Sequence, residues 1–233
     1  MRRILWASVI AAALPGLAQA ACPLGAAPPP SLTVTADRAT PSEEREPIEF
    51  PATIQRVIDV ALWSTPVTVN PSLLVTVARE PADTATPGCW RIGAVTIHYR
   101  VVQARLVVAA GLEPDSCLER GVRAGARATL STTLDLMQQI TRRAADQLAA
   151  ETSHFGWVVA KDEAEADGQA EVWLRANVAR YAPTLLSAIT SAGEAASRVG
   201  LAVARHLCPS YLQDAGEFVL READRRGLPR PTL

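Results

Sequence analysis

In this chain of 233 residues, histidine, lysine, tyrosine and phenylalanine are scarce. It contains three histidines, three tyrosines and three phenylalanines, and its only lysine is Lys161. The sequence has no Gly-x-Ser-x-Gly motif, no glycine-rich phosphate loop and no Cys-x-x-Cys pair. These absences argue against a serine-hydrolase elbow, a nucleotide-phosphate loop, a thioredoxin-type redox site and a zinc ribbon. The scarcity of aromatic residues also disfavours a stacking platform for sugars or nucleobases.

Strong charge and long apolar runs are also scarce. The formal net charge is −1, and the basic residues form no cluster along the chain. Such a chain is not expected to bind nucleic acid, because phosphate recognition needs concentrated positive charge. Beyond the N-terminus, no stretch is long and apolar enough to predict a membrane span.

The first twenty residues have the pattern of a Sec-type signal peptide. Arg2 and Arg3 precede an apolar run over residues 4–14. Residues 18–20 read Ala-Gln-Ala, the small-x-small pattern that signal peptidase recognises. We predict cleavage after Ala20 and a periplasmic or secreted location. Loss of the two arginines lowers the formal charge of the mature chain to −3.

Four cysteines follow the signal peptide, and an even number in an exported protein predicts two disulfides. They are Cys22, Cys89, Cys117 and Cys208. Sequence does not decide among the three possible pairings. Cys89 and Cys117 stand at either end of a β-rich half, and Cys22 and Cys208 near the ends of the mature chain. This placement favours the pairs 89–117 and 22–208.

Hydrophobic periodicity divides the mature chain into two halves. Up to residue 112 apolar residues alternate, so that Val95, Ile97 and Tyr99 share one face of a predicted strand. The predicted strands are residues 32–35, 67–69, 73–77, 90–102 and 104–110, with a turn at Asn70-Pro71, a solvated loop over 37–47, and either helix or strand over 54–63. From residue 115 the period becomes that of a helix.

Three helical regions are predicted in the second half. The first is about thirty residues long, is capped by Asp115 or Ser116, and ends at the turn over 154–156. The second covers 165–207, and we expect Pro183 to divide it because proline removes a helical hydrogen bond. The third covers 210–226 and ends at Gly227.

Together these patterns predict an α+β fold, with a small antiparallel β-sheet followed by a layer of three to four long α-helices. The expected organisation is a signal peptide (1–20), a proline-rich mobile segment (21–47), a single domain (48–227, β-rich over 48–112 and helical over 115–227) and a tail (228–233).

The order of parts before and within the first helix resembles a family of secreted bacterial zincin-like metalloproteases. The likeness covers residues 67–150: strands with a tryptophan-containing segment, a short extended linker, Cys117 and then a long helix. In that family this helix carries His-Glu-x-x-His, whose histidines bind zinc and whose glutamate is the general base. The resemblance implies that Gly125 and Thr129 occupy the histidine positions and Ala126 the glutamate position. These residues cannot supply that chemistry, so the motif is lost.

The same stretch also has a purely structural interpretation. Ala126 and Leu130 are core positions, and Arg123 and Arg127 form a solvated edge. Gly125 costs about 1 kcal/mol relative to alanine within a helix. Close packing against the sheet would explain its presence.

We therefore predict no catalytic residue, no metal ligand and no cofactor. The expected function is that of an exported, non-catalytic envelope protein that binds a protein partner or supports an assembly. One alternative is a zincin-like hydrolase, degenerate or with its ligands relocated to His98, His154 or His206. Another is a chaperone-like factor whose helices bind unfolded clients. The acidic run over 161–167 is interpreted as a linker and helix start, with a calcium loop as the alternative.

Overall fold

A computed structural model describes Cys22 and residues 26–37, 39–50, 61–80 and 88–229. The strands are β1 (Ser31–Asp37), β2 (Ser42–Glu46), β3 (Trp63–Ser64), β4 (Val67–Glu80), β5 (Gly88–Ala109) and β6 (Val158–Ala160). The helices are α1 (Cys117–Thr152), α2 (Glu163–Leu207) and α3 (Tyr211–Arg225). This arrangement confirms an α+β fold. The predicted signal peptide and most of the ambiguous segment 54–63 lie outside the described residues.

The sheet is built around β5, which pairs with each of the other five strands in the described part of the chain. On one edge of β5 lie β3 and β4, both antiparallel to it. On the opposite edge β6, β1 and β2 follow one another along β5. The opposite placement is required because β1 and β4 pair with the same stretch of β5, and a strand has only two edges.

The prediction of an antiparallel sheet was wrong in its detail, since the sheet is mixed. Strands β1 and β2 run parallel to β5, with Ser31 opposite Ala94 and Ser42 opposite Arg105. The alternation of apolar residues along a strand shows which face of the strand is buried. It does not show whether the neighbouring strands run parallel or antiparallel to it. The predicted loop over 37–47 also needs correction, because residues 42–46 form β2 and belong to the sheet.

Two β-bulges in the long strand β5 keep its apolar side chains on the buried face of the sheet. The pairing with β4 skips Gly93 and Val102, so each is an extra residue in β5. The buried side chains therefore change from even to odd positions and back to even. They are Trp90 and Ile92 before the first bulge, Val95, Tyr99 and Val101 between the bulges, and Ala104, Leu106 and Val108 after the second bulge. A bulge has this effect because side chains alternate with a period of two. It also explains why the sequence pattern predicted two strands where the structure has one.

Strand β4 is continuous as well, so the predicted turn at Asn70-Pro71 was wrong. Proline is tolerated within a strand at the edge of a sheet, where its missing N–H removes no ladder hydrogen bond. Among the described residues, β4 pairs only with β5 and therefore lies at such an edge.

The helices cover one face of the sheet. Val122, Ala126 and Leu130 of α1 pack in one core cluster with Tyr99 and Val108 of β5. Burial of each large side chain of this kind contributes about 1.5–3 kcal/mol. Ser116 caps α1 as expected, because its hydroxyl accepts a hydrogen bond from the backbone N–H of Glu119 at 3.1 Å. The third predicted helix is confirmed as α3, with Gly227 beyond its end at φ +65°.

Helix α2 does not break at Pro183, contrary to the sequence prediction. Helix α1 packs against α2 on both sides of this proline: Gly125 faces Gly200, and Leu148 shares a cluster with Leu174. The proline still removes a hydrogen bond at a cost of about 3 kcal/mol, but this tertiary packing offsets the loss.

Candidate functional site

The positions that the zincin resemblance assigns to the lost motif lie where α1 contacts α2. A Cβ atom on Gly125 would be 2.9 Å from the carbonyl oxygen of Gly200 and 3.2 Å from a ring carbon of Trp63. Thr129 Oγ1 donates to the Gly125 carbonyl at 2.9 Å and accepts from Trp63 Nε1 at 3.2 Å. Ala126 is fully buried. Protein atoms therefore fill this face, and an imidazole at position 125 or 129 would have to displace α2.

The expected reason for Gly125 was close packing against the sheet. Trp63 of β3 is part of that contact, but the nearest atom belongs to the backbone of α2. Gly200 is constrained in the same way, because a Cβ atom there would overlap Thr129 Oγ1. Each glycine allows the backbone of its helix to approach the other helix.

Tyr211 at the start of α3 borders this contact. Its ring centroid lies 6.2 Å from that of Trp63, and the two planes are tilted by 59°. Burial raises the pKa of the Tyr211 phenol, so the group stays protonated at neutral pH. The neutral ring packs against Trp63 beside the contact between α1 and α2.

The three histidines lie in three different elements: His98 in β5, His154 in the turn after α1 and His206 in the last turn of α2. Within the described residues, no group of three side chains suited to holding a metal includes a histidine. His98 lies on the exposed sheet face, where Nδ1 is 2.6 Å from Thr35 Oγ1 and Nε2 is 3.2 Å from Asp37 Oδ2. These contacts join β1 to β5 across the parallel pair.

Charged residues that were expected to be solvated form an ion-pair network between β2 and α1. Arg123 and Arg127 both contact the carboxylate of Glu43, at 2.5 Å and 3.0 Å. Arg45 contacts the buried carboxylate of Glu119 at 2.8 Å. Arg127 is exposed and Arg123 is half-buried, which agrees with the predicted solvated edge, but the sequence could not show that residues 42–46 form a strand beside α1 and supply its ion-pair partner.

The ion-pair network changes the pKa of Glu43. Partial burial acts to raise the pKa of Glu43, but hydrogen bonds from Arg127 and Arg123 outweigh it, and the pKa is lowered from its ordinary 4.5. The carboxylate is therefore ionised at neutral pH and is occupied by its two arginines. We interpret these ion pairs as contacts that hold β2 against α1.

All four cysteines form disulfides, as predicted, but the connectivity is Cys22–Cys89 and Cys117–Cys208. The favoured pairs 89–117 and 22–208 were wrong. Cys117 begins α1 and Cys208 follows α2, and the antiparallel helix pair brings these ends to a Cα–Cα distance of 5.3 Å. Asp214 lies near the two sulfurs. Both sulfurs are bonded to each other, so neither offers a thiolate to a metal.

The acidic run over 161–167 begins α2. Asp162 is the N-cap and accepts from the backbone N–H of Glu165 at 2.9 Å, while the Glu165 carboxylate accepts from the N–H of Lys161 at 2.9 Å. These two hydrogen bonds resemble a capping box, in which side chains at a helix start accept from nearby backbone N–H groups. The arrangement agrees with a helix start, and it leaves Asp167 exposed on the first turns of α2.

An apolar groove lies between the edge of β4 and the N-terminal part of α2, and we call it the β4–α2 groove. It has a volume of about 650 Å³. Its lining residues are Leu73, Leu74 and Val75 of β4 and Asp167, Ala170, Glu171, Leu174 and Arg175 of α2. The helical residues are spaced by three and four and therefore form one stripe. Leu74 is 62% exposed and Leu73 is 42% exposed, whereas Ala170 and Leu174 form the buried floor.

This groove was not predicted from the sequence, although two signals for it were present. Leu73 and Leu74 are adjacent, so one of them must face away from the core of a strand. Pro71 marks the strand as an edge. What the sequence does not reveal is that the first turns of α2 lie beside that edge. The groove also differs from the one expected of a chaperone-like factor, which would lie between helices.

The chain matches no protein-family model, no curated protein and no solved structure. No helix in the described part of the chain has a stretch long and apolar enough to span a membrane.

Proposed function

We propose that this chain is an exported, non-catalytic protein that binds a partner protein through the β4–α2 groove. The observation that carries the proposal is the exposure of Leu73 and Leu74 beside an apolar floor. Exposed apolar residues next to a concave surface are a common feature of binding sites, because water is released when a partner covers them.

An exported location is supported by the two disulfides and by the N-terminal signal pattern. Disulfides persist in oxidising compartments and are rare in the cytosol. The non-catalytic assignment is supported by the packing of Gly125 and Thr129 against α2 and by the separation of the histidines among different elements, both of which argue against a zincin-like metal site.

Site-specific crosslinking tests the proposal. A photoreactive amino acid is placed at position 74 in the groove and, as a control, at position 212 on α3. Leu212 is 51% exposed and does not line the groove, so it matches Leu74 in exposure. The crosslinked protein is identified, purified and tested for direct binding to the chain with both disulfides formed.

We expect a defined partner at position 74 only. In the binding assay the double substitution Leu73→Asp, Leu74→Asp should weaken the affinity by roughly tenfold or more, since exposed apolar anchors at the centre of an interface carry much of its energy. Leu212→Asp should leave the affinity unchanged. Equal crosslinking at both positions, or full binding by the double variant, would contradict the proposal.

A further inference from the structure

We infer that the occupant of the β4–α2 groove is an extended peptide segment that adds as a strand to the outer edge of β4 and places a basic side chain beside Asp167. This inference rests on the proposed function and specifies the chemistry of the partner at the same site.

The outer edge of β4 provides the backbone recognition. Among the described residues no strand pairs with that edge, so its backbone N–H and C=O groups are not used in the sheet. An added strand satisfies such groups with its own backbone, and alternate side chains then enter neighbouring pockets. The exposed Leu73 and Leu74 lie on this edge, in the part of β4 beyond Pro71.

The dimensions of the groove fit a short extended segment. The helical stripe from Asp167 to Arg175 covers eight residue steps, which correspond to about 12 Å at ~1.5 Å per residue. At ~3.4 Å per residue, about four residues of a strand cover the same length. Two of their side chains would point onto the apolar floor formed by Ala170 and Leu174.

The backbone groups and apolar residues of the two groove walls favour an extended occupant over a helical one. A bound helix would bring no free backbone groups to the edge of β4, because a helix satisfies its own hydrogen bonds internally. A helix would also need a long apolar stripe on both walls. Here the β4 wall provides three apolar residues, Leu73 to Val75.

The charged residues at the rim of the β4–α2 groove favour a basic residue in the bound peptide. Glu171 and Arg175 form an ion pair with each other at 2.5 Å. Asp167 is exposed at the rim of the groove and forms no ion pair with another described residue. Its neighbour Ala166 packs in a cluster with Val77, so Asp167 lies toward the Val77 end of the groove. A lysine or arginine of the peptide at that end would pair with it.

The test uses a displayed library of random octapeptides, selected against the purified chain with both disulfides formed. We expect enriched peptides to alternate apolar residues and to carry a lysine or arginine near one end. Asp167→Lys should weaken binding of these peptides about tenfold and favour peptides with an acidic residue at that position. Glu163→Lys is the matched control, because it makes the same change of charge on the first turn of α2 outside the groove.

Backbone methylation of a selected peptide then tests strand addition. N-methyl groups at alternate residues should weaken binding about tenfold in one register and have little effect in the other, since only every second N–H faces the edge of β4. Equal effects in both registers, or a selected peptide that binds as a helix, would overturn strand addition. Equal responses to Asp167→Lys and Glu163→Lys would overturn the assignment of the basic residue.

If position 74 crosslinks a defined partner but no peptide is enriched, this inference fails while the proposed function stands. If position 74 also captures no partner, both fail.

Discussion

Gly125 of α1 lies so close to Gly200 of α2 that a methyl group on Gly125 would be 2.9 Å from the Gly200 carbonyl oxygen. The two helices therefore touch through their backbones at the position where the zincin resemblance would place a zinc ligand. The same contact explains why α1 tolerates a glycine that weakens an isolated helix. It also makes the helix crossing sensitive to the addition of a single carbon atom.

We expect Gly125→Ala to destabilise the protein by about 1–2 kcal/mol. Overpacking a close contact costs about 1–3 kcal/mol, which outweighs the gain of up to about 1 kcal/mol in helix propensity. Gly193→Ala is the control, because nothing lies within 4 Å of a Cβ atom there, and it should stabilise α2 slightly. Chemical denaturation of both variants measures the difference. A gain in stability from both substitutions would show that the helices are not in backbone contact.

The disulfide Cys117–Cys208 should make a large contribution to the stability of the helix pair. It closes a loop over a sequence separation of 91 residues, and cross-links of this kind typically stabilise by about 2–5 kcal/mol. We expect the double variant Cys117→Ala, Cys208→Ala to lose stability in this range while Cys22–Cys89 still forms. Peptide mapping of the unreduced protein checks the connectivity, and a peptide joining residues 89 and 117 would refute it.

The ion pairs of Glu43 with Arg123 and Arg127 should make a pH-dependent contribution to stability. Because the pKa of Glu43 is lowered in the folded state, this contribution is present above the ordinary value of 4.5 and is lost as the pH falls through the lower folded value. A double-mutant cycle with Glu43→Gln and Arg123→Gln measures the coupling free energy. We expect a favourable coupling of less than ~1 kcal/mol at pH 7, because the pair is partly exposed. A coupling that persists after Glu43 is protonated would contradict the assignment.

Purified protein should contain no stoichiometric zinc. Gly125, Ala126 and Thr129 offer no imidazole or carboxylate. Gly125 and Thr129 face α2, and Ala126 is buried in the core, so none of them lines an open cavity. Elemental analysis of the protein after exposure to zinc and gel filtration tests this expectation. One tightly held zinc per chain, lost on substitution of His98, His154 or His206, would instead favour the relocated-ligand alternative.

The elements were largely predictable because each leaves a local signal. Ser116 was among the two predicted caps of α1, Gly227 marked the end of α3, and alternation marked β1, β4 and β5. The errors fall where distant parts of the chain decide the outcome. Pro183 does not break α2 because α1 supports the helix on both sides, and residues 42–46 form a strand because they pair with residues 105–109 of β5.

The sequence by itself determined the α+β class, the number of disulfides and the faces that strands and helices bury, because these depend on composition and on periods of two and 3.6 residues. Tertiary structure alone decided the disulfide partners, the mixed direction of the strands and the β4–α2 groove. Each of these depends on which elements meet in space, and residues more than 90 positions apart, such as Leu73 and Leu174, form one surface only after the chain has folded.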